Sequence, residues 1–201
     1  MDQWFPGAIV RPGPAWKSGY TNYSGRVGKG AVIHSAEGYL SGAMTILDSQ
    51  ARKSWGAFLA KDGQVYQHYE LQAITWHAGF DANIALFGIE TEGVAGEPLT
   101  DGQLATLVAF LRWQREQEVW PEVSRASTLR EHNEFMATSC PSGRIPWERV
   151  IEGLEEWPTV DEKAMVYACV SAAQFARMHW EFRDLHELDK RALRYIVSKL
   201  D

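Results

Sequence analysis

Two histidines and one cysteine, His34, His132 and Cys140, are the residues of this chain whose types best suit a metal ion. Imidazole nitrogen and thiolate sulfur both favour zinc, and three protein ligands leave a tetrahedral ion one open position. That is the pattern of a catalytic site, because a water held in the fourth position loses a proton near neutral pH and becomes a usable nucleophile. The three residues are far apart in sequence, and His132 stands in the polar run Leu129-Arg130-Glu131-His132-Asn133. Alone, such a histidine also reads as an ordinary surface or core residue. The elements around the three must therefore decide whether they meet.

Several elements can be read from the pattern of residues. Residues 1–30 are rich in Gly, Pro, Ser, Asn and Tyr and read as an irregular lead-in. Ala31-Val32-Ile33-His34 is a short apolar run with β-branched residues, the mark of a buried strand that ends on His34. Ser41 is placed to cap a helix reaching to about Lys53, with Met44, Leu47 and Ala51 on one face. From Trp55 to Gln67 the chain reads as a hairpin, with Asp62-Gly63 supplying the positive φ of its turn. Ile84 to Ile89 is a second central strand, followed by Glu90-Thr91-Glu92-Gly93. Thr100 and Gln103 make a capping box, and Leu104, Leu107, Val108 and Leu111 give the helix behind it an apolar face. Strands interleaved with helices indicate an α/β domain. It spans 1–157 with a core over 31–152, closing on a helix from about Trp147 to Glu156. Trp157-Pro158-Thr159 breaks the pattern, and 158–201 reads as an extension with two helices, the first carrying Cys169 on an apolar face.

Composition narrows the partners. A net charge of −6 over 201 residues, without clustered Lys and Arg, argues against nucleic acid. Only Cys140 and Cys169 are present, so the chain is no disulfide scaffold. No apolar run approaches a membrane span. Met1-Asp2-Gln3-Trp4-Phe5 has neither the basic nor the apolar region of a signal peptide. The expectation is a protein synthesised in the cytoplasm, acting there or outside after another agent releases it. Nine Trp exceed ordinary packing needs; many of them belong to the core, and Trp exposed in a cleft suits stacking on sugar rings.

A set of ordered motifs resembles one family. Val32-Ile33-His34, the hairpin Ser54 to Gly63, Trp76-His77-Ala78-Gly79, Gly88-Ile89-Glu90, His132 and Thr138-Ser139-Cys140-Pro141 follow one another as they do in the zinc-dependent N-acetylmuramoyl-L-alanine amidases. That family includes T7-type phage lysozymes and bacterial muropeptide-recycling amidases, and its fold is like that of peptidoglycan-recognition proteins. The resemblance covers about Ala31 to Glu152. It implies a central mixed β-sheet flanked by helices, peptidoglycan or a muropeptide as substrate, and Zn2+ held by His34, His132 and Cys140. Cys140 stands where other members use Asp, and a thiolate keeps the ligand count. Glu90 matches a glutamate kept beside the metal in recycling-type members, suited to general acid–base work. Glu92 shares its strand face by alternation and competes for the role. Thr138 stands where the family places Lys or Thr near the tetrahedral intermediate, and its hydroxyl can donate to an oxyanion.

Trp76, His77 and Trp55 are the implied substrate contacts, with the polar edge of His77 offered to a lactyl or peptide carbonyl. The alternative for His77 is a buried residue at a strand-to-loop junction. Many phage members carry Tyr in the hairpin strand where this chain has Trp55-Gly56, so a tyrosine-assisted mechanism is excluded at that position. The family's fold also serves in non-catalytic peptidoglycan-binding modules. A pure binder usually loses a zinc ligand, and all three are present here. Between a phage or prophage endolysin and a cytoplasmic recycling enzyme, the C-terminal extension favours the lysin.

Overall fold

The computed structural model of the protein describes residues 3–19 and 29–155. The chain divides into two units, Met1–Glu155 and Glu156–Asp201, and the expected helical pair with Cys169 lies outside the described residues. Within the first unit, strands β1 (Ile9–Val10), β2 (Ala31–Ser35), β3 (Ala57–Leu59), β4 (Val65–Gln67), β5 (Phe87–Thr91) and β6 (Leu129–Glu131) form one sheet. Helices α1 (Leu40–Asp48), α2 (Phe80–Ala85), α3 (Asp101–Glu118) and α4 (Trp147–Glu155) accompany it, with short 3₁₀ turns at Ala15–Lys17 and His132–Glu134. The sheet is six-stranded and mixed, in the order β1-β4-β3-β5-β2-β6. Only the β3–β4 hairpin is antiparallel, so β3, β5, β2 and β6 run side by side in one direction.

Parallel strands need cover on both faces, which is why β2 is an unbroken buried run. Registers align Val32 with Gly88, and His34 with Glu90 and, one strand further, Phe58. These residues share one face, because partners at the same register level point the same way. On that face α1 packs Ala43 and Leu47 against Trp55, Phe58 and Tyr69, and α2 packs Ala82 beside Val32 and Leu86. The opposite face belongs to α3. Phe110 stacks on Phe87 of β5 at 5.8 Å and meets Trp113 edge-on at 5.3 Å. Each such fully buried side chain contributes roughly 1.5–3 kcal/mol, so this aromatic layer anchors the helix to the strands that carry the site. α4 packs outside α3, where Arg112 and Arg115 donate to the carbonyls of Gly153 and Leu154.

The mixed sheet with flanking helices is as expected, and so is the capping box. Thr100 Oγ1 accepts from Gln103 N at 3.0 Å while Gln103 Oε1 accepts from Thr100 N at 3.1 Å. Three boundaries differ. α1 stops at Asp48 rather than near Lys53, and Ser41 does not cap it. Instead Leu40 N donates to Glu92 Oε1 at 2.8 Å, a cap delivered by the residue that follows β5. Ile84 belongs to α2, so the second central strand starts at Phe87. β1 and β6 carried no readable signal: two or three residues are too few to show a period, and their pairing is set by neighbours distant in sequence.

Candidate metal and catalytic site

The carboxyl ends of β2, β5 and β6 lie together, the usual place for a ligand site in parallel sheets. β2 delivers His34, β5 delivers Glu90 at the same level, and the end of β6 passes directly into a short 3₁₀ turn that starts at His132. Cys140 arrives from the following loop. It is held by Asn133 N donating to its carbonyl at 2.9 Å and by its own N–H donating to Thr138 Oγ1 at 3.2 Å. Ser35 N donates to Cys140 Sγ at 3.2 Å, aiming the sulfur beside His34.

One ligand atom each from His34, His132 and Cys140 fits within a 4.8 Å span. His34 Nδ1 lies 3.8 Å from Cys140 Sγ and 3.9 Å from Glu90 Oε1, and the His34 and His132 rings are 4.7 Å apart. Burial is the leading influence on every one of these groups. It pushes His34 well below the ordinary histidine range, assisted by His77 and His132, and lowers His132, assisted by Lys53. It raises the Cys140 thiol to about 12, with Glu90 adding to the effect, and Glu90 to about 8 against the opposing charge of Lys53. Without a metal these influences favour neutral imidazoles, a protonated thiol and a protonated carboxyl. Two bare imidazole nitrogens and a sulfur facing one point are what a divalent cation requires, and its charge would draw the thiol proton off. The residues fit a zinc ion.

The same point opens into a cavity of about 640 Å³ lined by Trp55, Trp76, His77, Glu90, Thr138 and Met136 among others. Glu90 Oε2 is buried without a hydrogen-bond partner among the described residues. Glu92 differs in every respect. Its oxygens accept from Leu40 N at 2.8 Å and from Lys61 N at 2.7 Å, so it ties α1 and the hairpin turn to β5 and does not line the cavity. Trp55 is 5% exposed, packs in the core beside α1 and presents one edge to the cavity. The indole N–H groups of Trp55 and Trp76 are buried with no acceptor among the described residues. His77 also lines the cavity, but its Nδ1 is 3.1 Å from His34 Nε2 and its Nε2 is 3.1 Å from the Leu86 carbonyl. Beside Trp55, a Cβ on Gly56 would lie 2.0 Å from Phe87 Cζ, so the Phe87 ring occupies the space a side chain at position 56 would need.

Three contributors were not legible in the sequence. Lys53 lines the cavity and brings a positive charge to bear on Glu90 and His132. Asn83 accepts at Oδ1 from both His77 N and Ala78 N, each at 2.9 Å, and fixes the cleft loop to α2. Arg144 is buried and donates to Ser35 Oγ, to the Thr91 and Glu92 carbonyls and to the Glu97 carbonyl, locking the ends of β2 and β5 together. None sits in a motif, and contacts made across the fold leave no local pattern.

A family model described as N-acetylmuramoyl-L-alanine amidase matches residues 24–143. The chain belongs to this amidase family. His34, Glu90, His132 and Cys140 all fall within the matched span. No curated protein matches the chain. Among solved structures, a selenomethionine derivative of AmpD superposes with a TM-score of 0.62 at 18% identity, covering 77% of this chain and 98% of that one. The N-acetylmuramoyl-L-alanine amidase LysC from Clostridium intestinale URNW gives 0.53 at 21% identity, covering 67% and 95%. The Drosophila peptidoglycan recognition protein SD gives 0.53 at 15%, covering 75% and 95%. At these identities the likeness establishes the fold, the one shared by the amidases and the peptidoglycan-recognition proteins. Among the described residues, no helix is long and apolar enough to cross a membrane.

Proposed function

We propose that the protein is a zinc-dependent amidase that hydrolyses the bond between N-acetylmuramic acid and L-alanine in bacterial peptidoglycan. The observation that carries this is the meeting of His34, His132 and Cys140 at one point with the Glu90 carboxyl beside it, one oxygen 3.9 Å from His34 Nδ1 and the other without a hydrogen-bond partner among the described residues. Zinc held by the three would act as Lewis acid and lower the pKa of water. With the cation's positive charge holding Glu90 ionised, its carboxylate would accept the proton of the attacking water and return it to the departing alanine nitrogen, so it ends as the carboxylate it began as. Thr138 lines the cavity, and its hydroxyl has a proton to donate to the oxygen of the tetrahedral intermediate. Lys53 adds positive charge near the same developing anion. Trp55 and Trp76 line the same cavity and would contact the glycopeptide there.

A binding module would have no need of a half-buried carboxyl with one unpaired oxygen beside three metal donors, so the catalytic reading is preferred. In biological setting we place the protein with endolysins, such as the endolysin amidase LysCS of Clostridium intestinale URNW that it resembles at 19% identity. The test is digestion of purified peptidoglycan and of soluble muropeptides. New L-alanine amino ends, lost with chelator and restored with zinc, are expected, with intact wall as the better substrate. New reducing sugars, or full activity in strong chelator, would refute the proposal.

A further inference from the structure

His77 stands at the centre of a short hydrogen-bonded chain that ends on a proposed metal ligand. Its Nε2 lies 3.1 Å from the carbonyl oxygen of Leu86, and its Nδ1 lies 3.1 Å from His34 Nε2. A carbonyl oxygen can only accept, so His77 Nε2 carries a proton. In a neutral ring Nδ1 is then the acceptor, and His34 Nε2 must be the donor. That leaves His34 Nδ1 bare. It is the nitrogen that lies 3.8 Å from Cys140 Sγ and 3.9 Å from Glu90 Oε1, facing the metal point.

The geometry points to His77 as a positioning residue that fixes the tautomer and the ring orientation of His34 by passing the Leu86 carbonyl's demand for a proton through to it. The surroundings are shaped for this. The two rings meet edge to face at 85° with centroids 5.2 Å apart, as a hydrogen bond in the plane of the donor ring requires. A Cβ at position 88 would lie 2.6 Å from His77 Cγ, so glycine on β5 makes the seat for the imidazole. Asn83 Oδ1 holds the backbone of His77 and Ala78 from the other side. His34 itself is 1% exposed, so water cannot choose its tautomer. Histidine ligands elsewhere owe their ring orientation to such an outer partner, usually a carboxylate or backbone carbonyl, and losing it typically weakens metal binding 10–100-fold. Here a second histidine intervenes because the Leu86 carbonyl, at the start of β5, is reached through the His77 ring.

This inference rests on the metal-site reading above, and its test separates the two. In the metal-free wild type, nitrogen-15 NMR of labelled histidines should show His34 protonated at Nε2 and bare at Nδ1. Zinc affinity is then measured by competition with a chromophoric chelator. His77→Leu should lower it by about 10–100-fold. His77→Gln, whose amide can donate to Leu86 and accept from His34, should restore it to within a few-fold. A merely structural role would not be rescued by glutamine in this way. A wild-type His34 protonated at Nδ1 overturns the proposal even if His77→Leu fails to fold. Unchanged zinc affinity in a folded His77→Leu also overturns it and leaves the metal site standing. Absence of zinc binding by the wild type, or full binding by His34→Ala, overturns the metal reading itself.

Discussion

Replacing Glu90 by glutamine should slow the enzyme and stabilise its metal-free form at the same time. Glu90 is half-buried beside His34, one oxygen has no partner among the described residues, and desolvation raises its carboxyl from 4.5 to about 8 in the absence of metal. Because the folded value is the higher one, the stability is fully present below about 4.5 and is lost as pH rises toward 8, where ionisation in the unfolded chain no longer has a counterpart to overtake. Between pH 4.5 and pH 7 the loss is about 3 kcal/mol, from about 1.4 kcal/mol per pH unit. Glutamine does not titrate. Urea unfolding in chelator should therefore show the stability of Glu90→Gln minus that of wild type growing by about 3 kcal/mol over this range. The fixed cost of burying the amide cancels in that difference. With zinc restored, metal content should match wild type while the rate falls by about 10²–10⁴-fold, the usual worth of a positioned proton carrier. Glu92→Gln is the control. It weakens the cap on α1 and the hairpin tie, at about 1–2 kcal/mol, and should leave most of the rate. A Glu90→Gln enzyme of wild-type rate, or a stability gap that does not change with pH, would refute the reasoning.

Two further predictions concern the frame around the site. His68 is buried against Trp55 with Nδ1 on the Arg11 carbonyl, and burial depresses it from 6.5 to about 4. Stability is thus present above about 6.5 and lost as pH falls toward 4, by about 3 kcal/mol, and unfolding curves in chelator should show a shallower pH dependence for His68→Asn than for wild type; parallel curves would contradict this. Gly56→Ala places a Cβ 2.0 Å from the Phe87 ring, which is wedged against Phe110, and should cost about 1–3 kcal/mol as an overpacked core does. A melting temperature equal to wild type would show that Phe87 yields more easily than its packing implies.

Much of the site was written into the sequence because its chemistry is local in type. Imidazole and thiolate are zinc donors by type, a run of apolar β-branched residues carries β2 through His34, and the capping box marks α3 by two residues three apart. The motif order supplied the rest, down to Cys140. What the sequence left open was every choice between groups of the same kind. Glu90 and Glu92 alternate onto one side of an extended chain and looked equivalent. Only the tertiary structure separates them, because α1 and the hairpin turn present backbone N–H groups to Glu92 and, among the described residues, none is presented to Glu90 Oε2. His77 read as a polar edge for substrate, and the fold turns both its nitrogens toward protein groups, since Gly88 opens a seat and the Leu86 carbonyl lies beyond it. Lys53, Asn83 and Arg144 had no signal at all. Hydrogen bonds between residues dozens of positions apart impose no period and no spacing, so a chain read one neighbourhood at a time names the donors of a site but not the partners that orient them.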